Sequence, residues 1–149
     1  MSTSFKSLRV VPSRASRLDV IKRAYAARIV GDGALYAAFF TPDCRYQLIG
    51  NAMINRPSGL WLGREGIIAV YQRLAQITVL SDLMIEDVIQ DNDSAAVLWH
   101  AEIRSVAGGR ISDFTGFDHL RFDEDLISEL SSFYDSASLA ILLNEETGE

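Results

Sequence analysis

Leu18, Ile21, Tyr25 and Ile29 recur at steps of three and four residues, the single apolar stripe of a helix. Ser16 followed by Asp19 is a capping pattern that predicts a start near Arg17, and Gly31-Asp32-Gly33 ends the run. A second short helix, "ALYAAFF", should stop at Thr41-Pro42, because proline disfavours helix at the residue before it. The period then changes to two. In "CRYQLIG", Cys44, Tyr46 and Leu48 point one way and Arg45 and Gln47 the other, as in a strand. Residues 50–62 read as a long loop around Pro57-Ser58-Gly59, of the length that functional lids have. "GREGIIAVYQRLA" returns to helical spacing, with Ile67, Val70, Tyr71 and Leu74 inward.

From there to residue 136 the alternation is two-fold again. It predicts four strands, near 79–90, 94–107, 110–122 and 126–136. Asp91-Asn92-Asp93, Gly108-Gly109 and Asp123-Glu124-Asp125 supply the turns between them. The order is α-α-β-α-β-β-β-β. Helices early and antiparallel strands late make an α+β arrangement, with helices on one face of a bent sheet. We expect one domain over residues 16–137, a flexible basic N-terminal arm over 1–15 and a C-terminal tail over 138–149.

Charge and composition narrow the function. Residues 1–28 hold 7 of the 14 basic residues and 1 of the 20 acidic ones, so the remainder carries a formal charge of −12. A body so acidic repels phosphate backbones, which argues against nucleic acid as a partner. The Ser- and Arg-rich start has the composition of a transit peptide, but a solvated arm is the simpler reading. No apolar run approaches the roughly 20 residues of a membrane helix, so no membrane association is expected. One cysteine, Cys44, excludes an intrachain disulfide and leans the expectation toward the cytoplasm. Two histidines and no CxxC or HxxxH spacing leave no metal site, and no cofactor is expected.

The candidate chemistry centres on Asp118, which shares strand parity with Phe114, Gly116, Leu120 and Phe122 on the apolar face. If Gly108-Gly109 is a two-residue loop, Trp99 falls opposite Asp118 and Ala101 opposite Gly116. A three-residue turn pairing Phe122 with Leu126 then sets Leu130 opposite Asp118. Desolvation there would raise the carboxyl pKa, and a neutral acid donates a hydrogen bond to a carbonyl or oxyanion. Tyr46, Ser132 and Tyr134 share the face, with Tyr25 reaching in from the first helix. Aromatic walls with a few convergent polar groups describe a small-molecule pocket. The alternative is a structural carboxylate paired with Arg28 or Arg64.

The element order resembles the NTF2-like superfamily, which includes ketosteroid isomerases, limonene-epoxide hydrolases and SnoaL-type polyketide cyclases. The resemblance rests on "GDGALYAAFFTPDCRYQ", "GREGIIAVYQRL", "FDHLRFDEDLI" and "ELSSFYD", and spans about residues 17–136. It implies an NTF2-like (cystatin-like) cone, with three N-terminal helices packed on a curved, mainly antiparallel mixed sheet. "FDHLRF" is similar to the isomerase segment whose aspartic acid donates to the dienolate oxygen, and Asp118 falls on it. Other pocket positions of the family fall on Trp99, Ala101, Leu130, Ser132 and Tyr134. The isomerase's general base falls on Leu48, and its helix tyrosine on Ala24, one position from Tyr25. The epoxide hydrolase's arginine and two aspartates fall on Trp99, Ala101 and Ser132, while its tyrosine matches Tyr46. Neither catalytic set is complete.

Two functions follow as expectations. One is an isomerase or cyclase acting on a small hydrophobic carbonyl compound, with Asp118 as acid or donor and Tyr46 or Tyr134 assisting. Its ligand-binding residues would be Tyr25, Tyr46, Leu48, Met53, Trp61, Trp99, Ala101, Phe114, Asp118, Leu130, Ser132 and Tyr134. The other is a non-catalytic ligand-binding or protein-interaction module. Either is compatible with a homodimer through the outer sheet face, where Phe117, Ile127 and Phe133 stand among His100, Glu102, Arg104, His119, Arg121 and Glu129.

Overall fold

Ser13 and Ser16 form a reciprocal capping box. The Ser13 hydroxyl accepts from Ser16 N (3.1 Å) and the Ser16 hydroxyl from Ser13 N (2.9 Å). The first helix, α1 (Arg14–Val30), therefore starts three residues before the expected Arg17, and Gly31 closes it in the left-handed conformation at φ 79°. The structure, a computed structural model, describes residues 13–51 and 57–147. After α1 come α2 (Gly33–Ala37), β1 (Phe40–Leu48), β2 (Gly59–Leu62) and α3 (Gly63–Ile77). Then follow β3 (Thr78–Gln90), β4 (Ser94–Ser105), β5 (Ile111–Asp123), β6 (Leu126–Tyr134) and α4 (Ser136–Thr147).

Three boundaries differ from the sequence reading, each for a local reason. The second helix ends at Ala37 and β1 begins at Phe40, so Thr41-Pro42 lies inside a strand. Part of the expected 50–62 loop is β2, which pairs with β1 from Leu48↔Gly59 to Arg45↔Leu62. The expected C-terminal tail carries α4, because Leu139, Ala140 and Leu142 have apolar surface to bury and a neighbouring strand to bury it on. Met53 lies outside the described residues.

The six strands form one mixed sheet in the order β2-β1-β6-β5-β4-β3, parallel only between β1 and β6. The sheet is not closed. Its edges are β2 and β3, so the cone expected from the resemblance is an open curve of strands rather than a barrel. Helix α1 packs against β3, and α3 against β1 and β2. Arg17 ties α1 to two hairpin turns at once. Its guanidinium reaches Asp93 (3.0 Å), the Asn92 carbonyl (2.6 Å) and the Glu124 carbonyl (3.0 Å).

Helix α1 turns a different stripe inward from the one hydrophobicity alone picks out. Ile21, Ala24, Tyr25 and Ala27 are buried, Ile29 is 44% exposed, and the Arg28 side chain is only 10% exposed. Ile127, placed on the outer face by strict alternation, is fully buried. One extra residue, Ser128, bulges β6 between the pairs Phe122↔Ile127 and Arg121↔Glu129, and a one-residue slip exchanges the faces.

Both hairpin registers move as well. The β4–β5 ladder ends at Arg104↔Ile111, and Ser105–Arg110 form a wider turn closed by Gly109 N to Ser105 O (2.9 Å). The shift from the expected register is two residues, so every side chain keeps its face while changing its partner. Trp99 lies opposite Gly116 and Asp118 opposite Val97; on β6, Asp118 faces Ser132 and Leu130 faces Leu120.

Glycine is required at 116. A Cβ there would lie 1.9 Å from Trp99 Cζ2, so the indole occupies the volume a side chain would take. Gly116→Ala should force the ring off its rotamer and destabilise the protein by about 1–3 kcal/mol, measurable by urea denaturation. A loss within a few tenths of a kcal/mol would show that the indole shifts freely.

Candidate functional site

The row of β5 that carries Asp118 runs Leu48–Ser132–Asp118–Val97 across four strands. At this point α1 crosses the sheet and places Tyr25 and Arg28, one helical step apart, over the carboxylate. Asp118 is fully buried. The Tyr25 hydroxyl donates to its Oδ2, and Arg28 Nη1 lies 3.1 Å from the same oxygen. The pairing is end-on and single. Arg28 Nε and Asp118 Oδ1 are buried without a hydrogen-bond partner among the described residues, as is Trp99 Nε1.

Aromatic faces compensate part of that deficit. The Arg28 guanidinium sits 4.9 Å from the Tyr25 ring centroid, 5.4 Å from Trp99 and 5.9 Å from Tyr36. Behind it, Tyr36, Phe40, Tyr46 and Tyr71 meet edge-on or tilted, with centroids 4.9–6.4 Å apart. Burial pushes the phenols of Tyr25, Tyr36 and Tyr46 well above their ordinary range, so they are neutral donors across physiological pH. Burial opposes the charge on Arg28, but the surrounding phenol oxygens and Asp118 outweigh it and hold the group a cation.

A cavity of about 330 Å³ opens on the other side of Arg28. Its walls come from Arg28 to Gly31 of α1, Tyr46 and Leu48 of β1, Tyr71, Leu74 and Ala75 of α3, and the first residues of β3. Trp99 and Ile103 of β4, Ser132 and Tyr134 of β6, and Leu139 of α4 complete it. Arg28 is the one charged side chain among the described residues that line it, and no Asp, Glu or His does so. The Tyr36 and Tyr46 hydroxyls share a long hydrogen bond of 3.5 Å, and Tyr46 forms part of the cavity wall.

The expected site residues therefore divide into two layers. Tyr46, Leu48, Trp99, Ser132 and Tyr134 line the cavity. Asp118 and Tyr25 lie behind Arg28, and Ala101, Phe114 and Leu130 belong to the core. Trp61 stands apart, donating its indole N–H to the Pro57 carbonyl (2.9 Å) beneath Arg73. Sequence reasoning missed Arg28 as a wall residue. The available signal was helical spacing, since Tyr25 and Arg28 share a face, and an inward tyrosine carries position 28 inward with it. Among the described residues, no group of His, Cys, Asp and Glu is placed to hold a metal ion, and no helix is long and apolar enough to cross a membrane.

Solved structures with the same arrangement are numerous, though distant in sequence. An NTF2-like protein of unknown function from Burkholderia pseudomallei is 17% identical, with a TM-score of 0.77 over 86% of this chain and 97% of that one. TerC co-crystallised with polyporic acid is 14% identical, with a TM-score of 0.77 over 87% and 98%. A computationally designed 17-OHP binder is 19% identical, with a TM-score of 0.67 over 80% and 93%. Helices packed on an open six-stranded mixed sheet are thus the NTF2-like fold. Within it, residues 21–130 match the SnoaL-like domain model, and the chain belongs to that family. No curated protein matches the chain.

The buried pair makes a thermodynamic prediction. Removing one member strands the other charge, so Arg28→Met or Asp118→Leu alone should cost about 3–5 kcal/mol. The double variant should be more stable than either single one, because it leaves an apolar site with no orphan charge. Chemical denaturation of all four proteins completes the double-mutant cycle. Additive losses would show that the two side chains do not interact.

Proposed function

We propose that the protein binds a small, mainly apolar carbonyl-type molecule in the cavity, with the acceptor oxygen of the ligand turned toward Arg28. The observation that carries this reading is the position of that guanidinium, the one charged side chain among the described wall residues of a mainly apolar cavity whose other polar groups are hydroxyls. The volume lies within the roughly 300–1,000 Å³ of small-molecule sites. Arg28 uses Nη1 on Asp118 and keeps Nε without a hydrogen-bond partner among the described residues, while Tyr46 offers a neutral hydroxyl. Asp118 and Tyr25 are positioning residues in this reading, fixing the rotamer of Arg28 from behind. A ligand-binding reading is supported by two proteins of similar fold, TerC, which was co-crystallised with polyporic acid, and the designed 17-OHP binder.

An isomerase or cyclase acting at the same place is the second reading. Arg28 and Tyr46 suit the stabilisation of a developing enolate oxygen, and Asp118 would act on the substrate through Arg28. Abstraction of a carbon-bound proton needs a base in reach. Among the described residues the cavity wall carries no carboxylate or imidazole, so binding is the reading we favour.

Acetylnaphthalene and ethylnaphthalene, alike in shape and differing in the carbonyl, separate these possibilities. Binding is read from quenching of Trp99 fluorescence in a Trp61→Phe background. The ketone should bind about tenfold tighter or better, the value of one hydrogen bond to a charged donor. In the Arg28→Met, Asp118→Leu double variant that preference should vanish. Equal affinities in the parent protein would remove Arg28 from the site, and no binding of either compound would remove the cavity.

We further propose a homodimer through the outer sheet face. Phe117 and Phe133 are cross-strand partners there, 43% and 45% exposed, and exposed Met84 and Ile89 extend the patch on β3. Phe117→Glu should convert the dimer to a monomer in sedimentation velocity. A wild-type chain that sediments as a monomer across the micromolar range would overturn this assembly.

A further inference from the structure

The cavity has an apolar collar. Ile29 and Val30, in the last turn of α1, and Val79, near the start of β3, line it and are also 44%, 70% and 38% exposed. A side chain that lines a cavity and stands in solvent marks its mouth. Polar residues would serve better there for solubility, and β-branched residues are poorer helix formers than most alternatives. Helix stability therefore gives no reason for an Ile-Val pair before Gly31. Burial gives none either, since both residues stay exposed.

Arg28 immediately precedes Ile29 and Val30, so the polar anchor and the exposed collar belong to the same helical turn. A molecule held by its oxygen at Arg28 and directed along the cavity axis toward solvent meets these three side chains on its way out. Their exposed faces become buried only if the occupant extends past the mouth. On these grounds, and resting on the ligand-binding reading above, we infer that the ligand is an amphiphile longer than the cavity: a carbonyl head at Arg28 and an unbranched or extended apolar tail lying over Ile29, Val30 and Val79.

A series of methyl ketones with unbranched chains of increasing length tests this, each kept below its self-association limit and read by displacement of acetylnaphthalene. Affinity should rise about two- to fourfold per added methylene, the increment for partly to fully buried CH₂ groups, and keep rising through members too long for the cavity alone. In an Ile29→Asn, Val30→Ser, Val79→Thr variant the ratio of longest-chain to shortest-chain affinity should fall at least tenfold. The ratio is internal to each protein, so an overall loss of affinity does not imitate the effect. An affinity that levels off at the same chain length in both proteins would overturn the inference. Failure of the underlying reading looks different: the Arg28→Met, Asp118→Leu variant would then bind the shortest ketones as tightly as the parent protein, whatever the slope with chain length.

Discussion

A guanidinium and a carboxylate buried together beneath a helix govern how this molecule is put together. Moving either charge from water into the interior costs several kcal/mol, and only close pairing with further hydrogen bonds offsets it. Here the pair is joined at one oxygen, where Tyr25 also donates, and the cation is sandwiched by aromatic rings. Those contacts fix the rotation of α1 on the sheet. With Arg28 inward, Ile29 cannot be, and the helix ends with its aliphatic residues at the mouth of the cavity. The packing of α1, the polar end of the cavity and the character of its rim are thus consequences of one ion pair.

The layers of the fold were legible because they depend on periodicity alone. Ile67 and Val70 are fully buried on α3, and Trp99, Phe114 and Leu120 point inward as two-residue alternation requires. Register was less legible. Gly108-Gly109 suggested the tightest hairpin, but buried Ser105 accepts from the Gly109 amide and widens the turn by two residues. That error was harmless to the faces. The bulge at Ser128 was not, since it reversed Ile127, and nothing in "DEDLISEL" marks it apart from a serine whose hydroxyl reaches the Arg121 carbonyl.

The candidate site shows the same boundary between pattern and context. Asp118 was visible as a polar residue on an apolar face, and Arg28 was visible as one possible partner. What no pattern showed was which of the two meets the cavity. That order is set by depth: β5 lies beneath α1, so the strand residue becomes the support and the helix residue the wall. Leu139 was missed for a plainer reason, since a segment read as a tail contributes no walls.

The parallel pairing of β1 with β6 carries a consequence for the order of assembly. Tyr46 must find Leu130, and Leu48 must find Ser132, across nearly the whole length of the domain. Closing so long a loop before its contacts form is entropically costly and slows folding relative to local hairpins. On the ribosome, the segment from α1 to α3 emerges well before β6 exists, and within it β2 and α3 are the elements that cover β1. The aromatic group of Tyr36, Phe40, Tyr46 and Tyr71 lies wholly within that early segment. It can gather before β6 is made, which gives the nascent chain a place to shelter its apolar surface while it waits for the last hairpin.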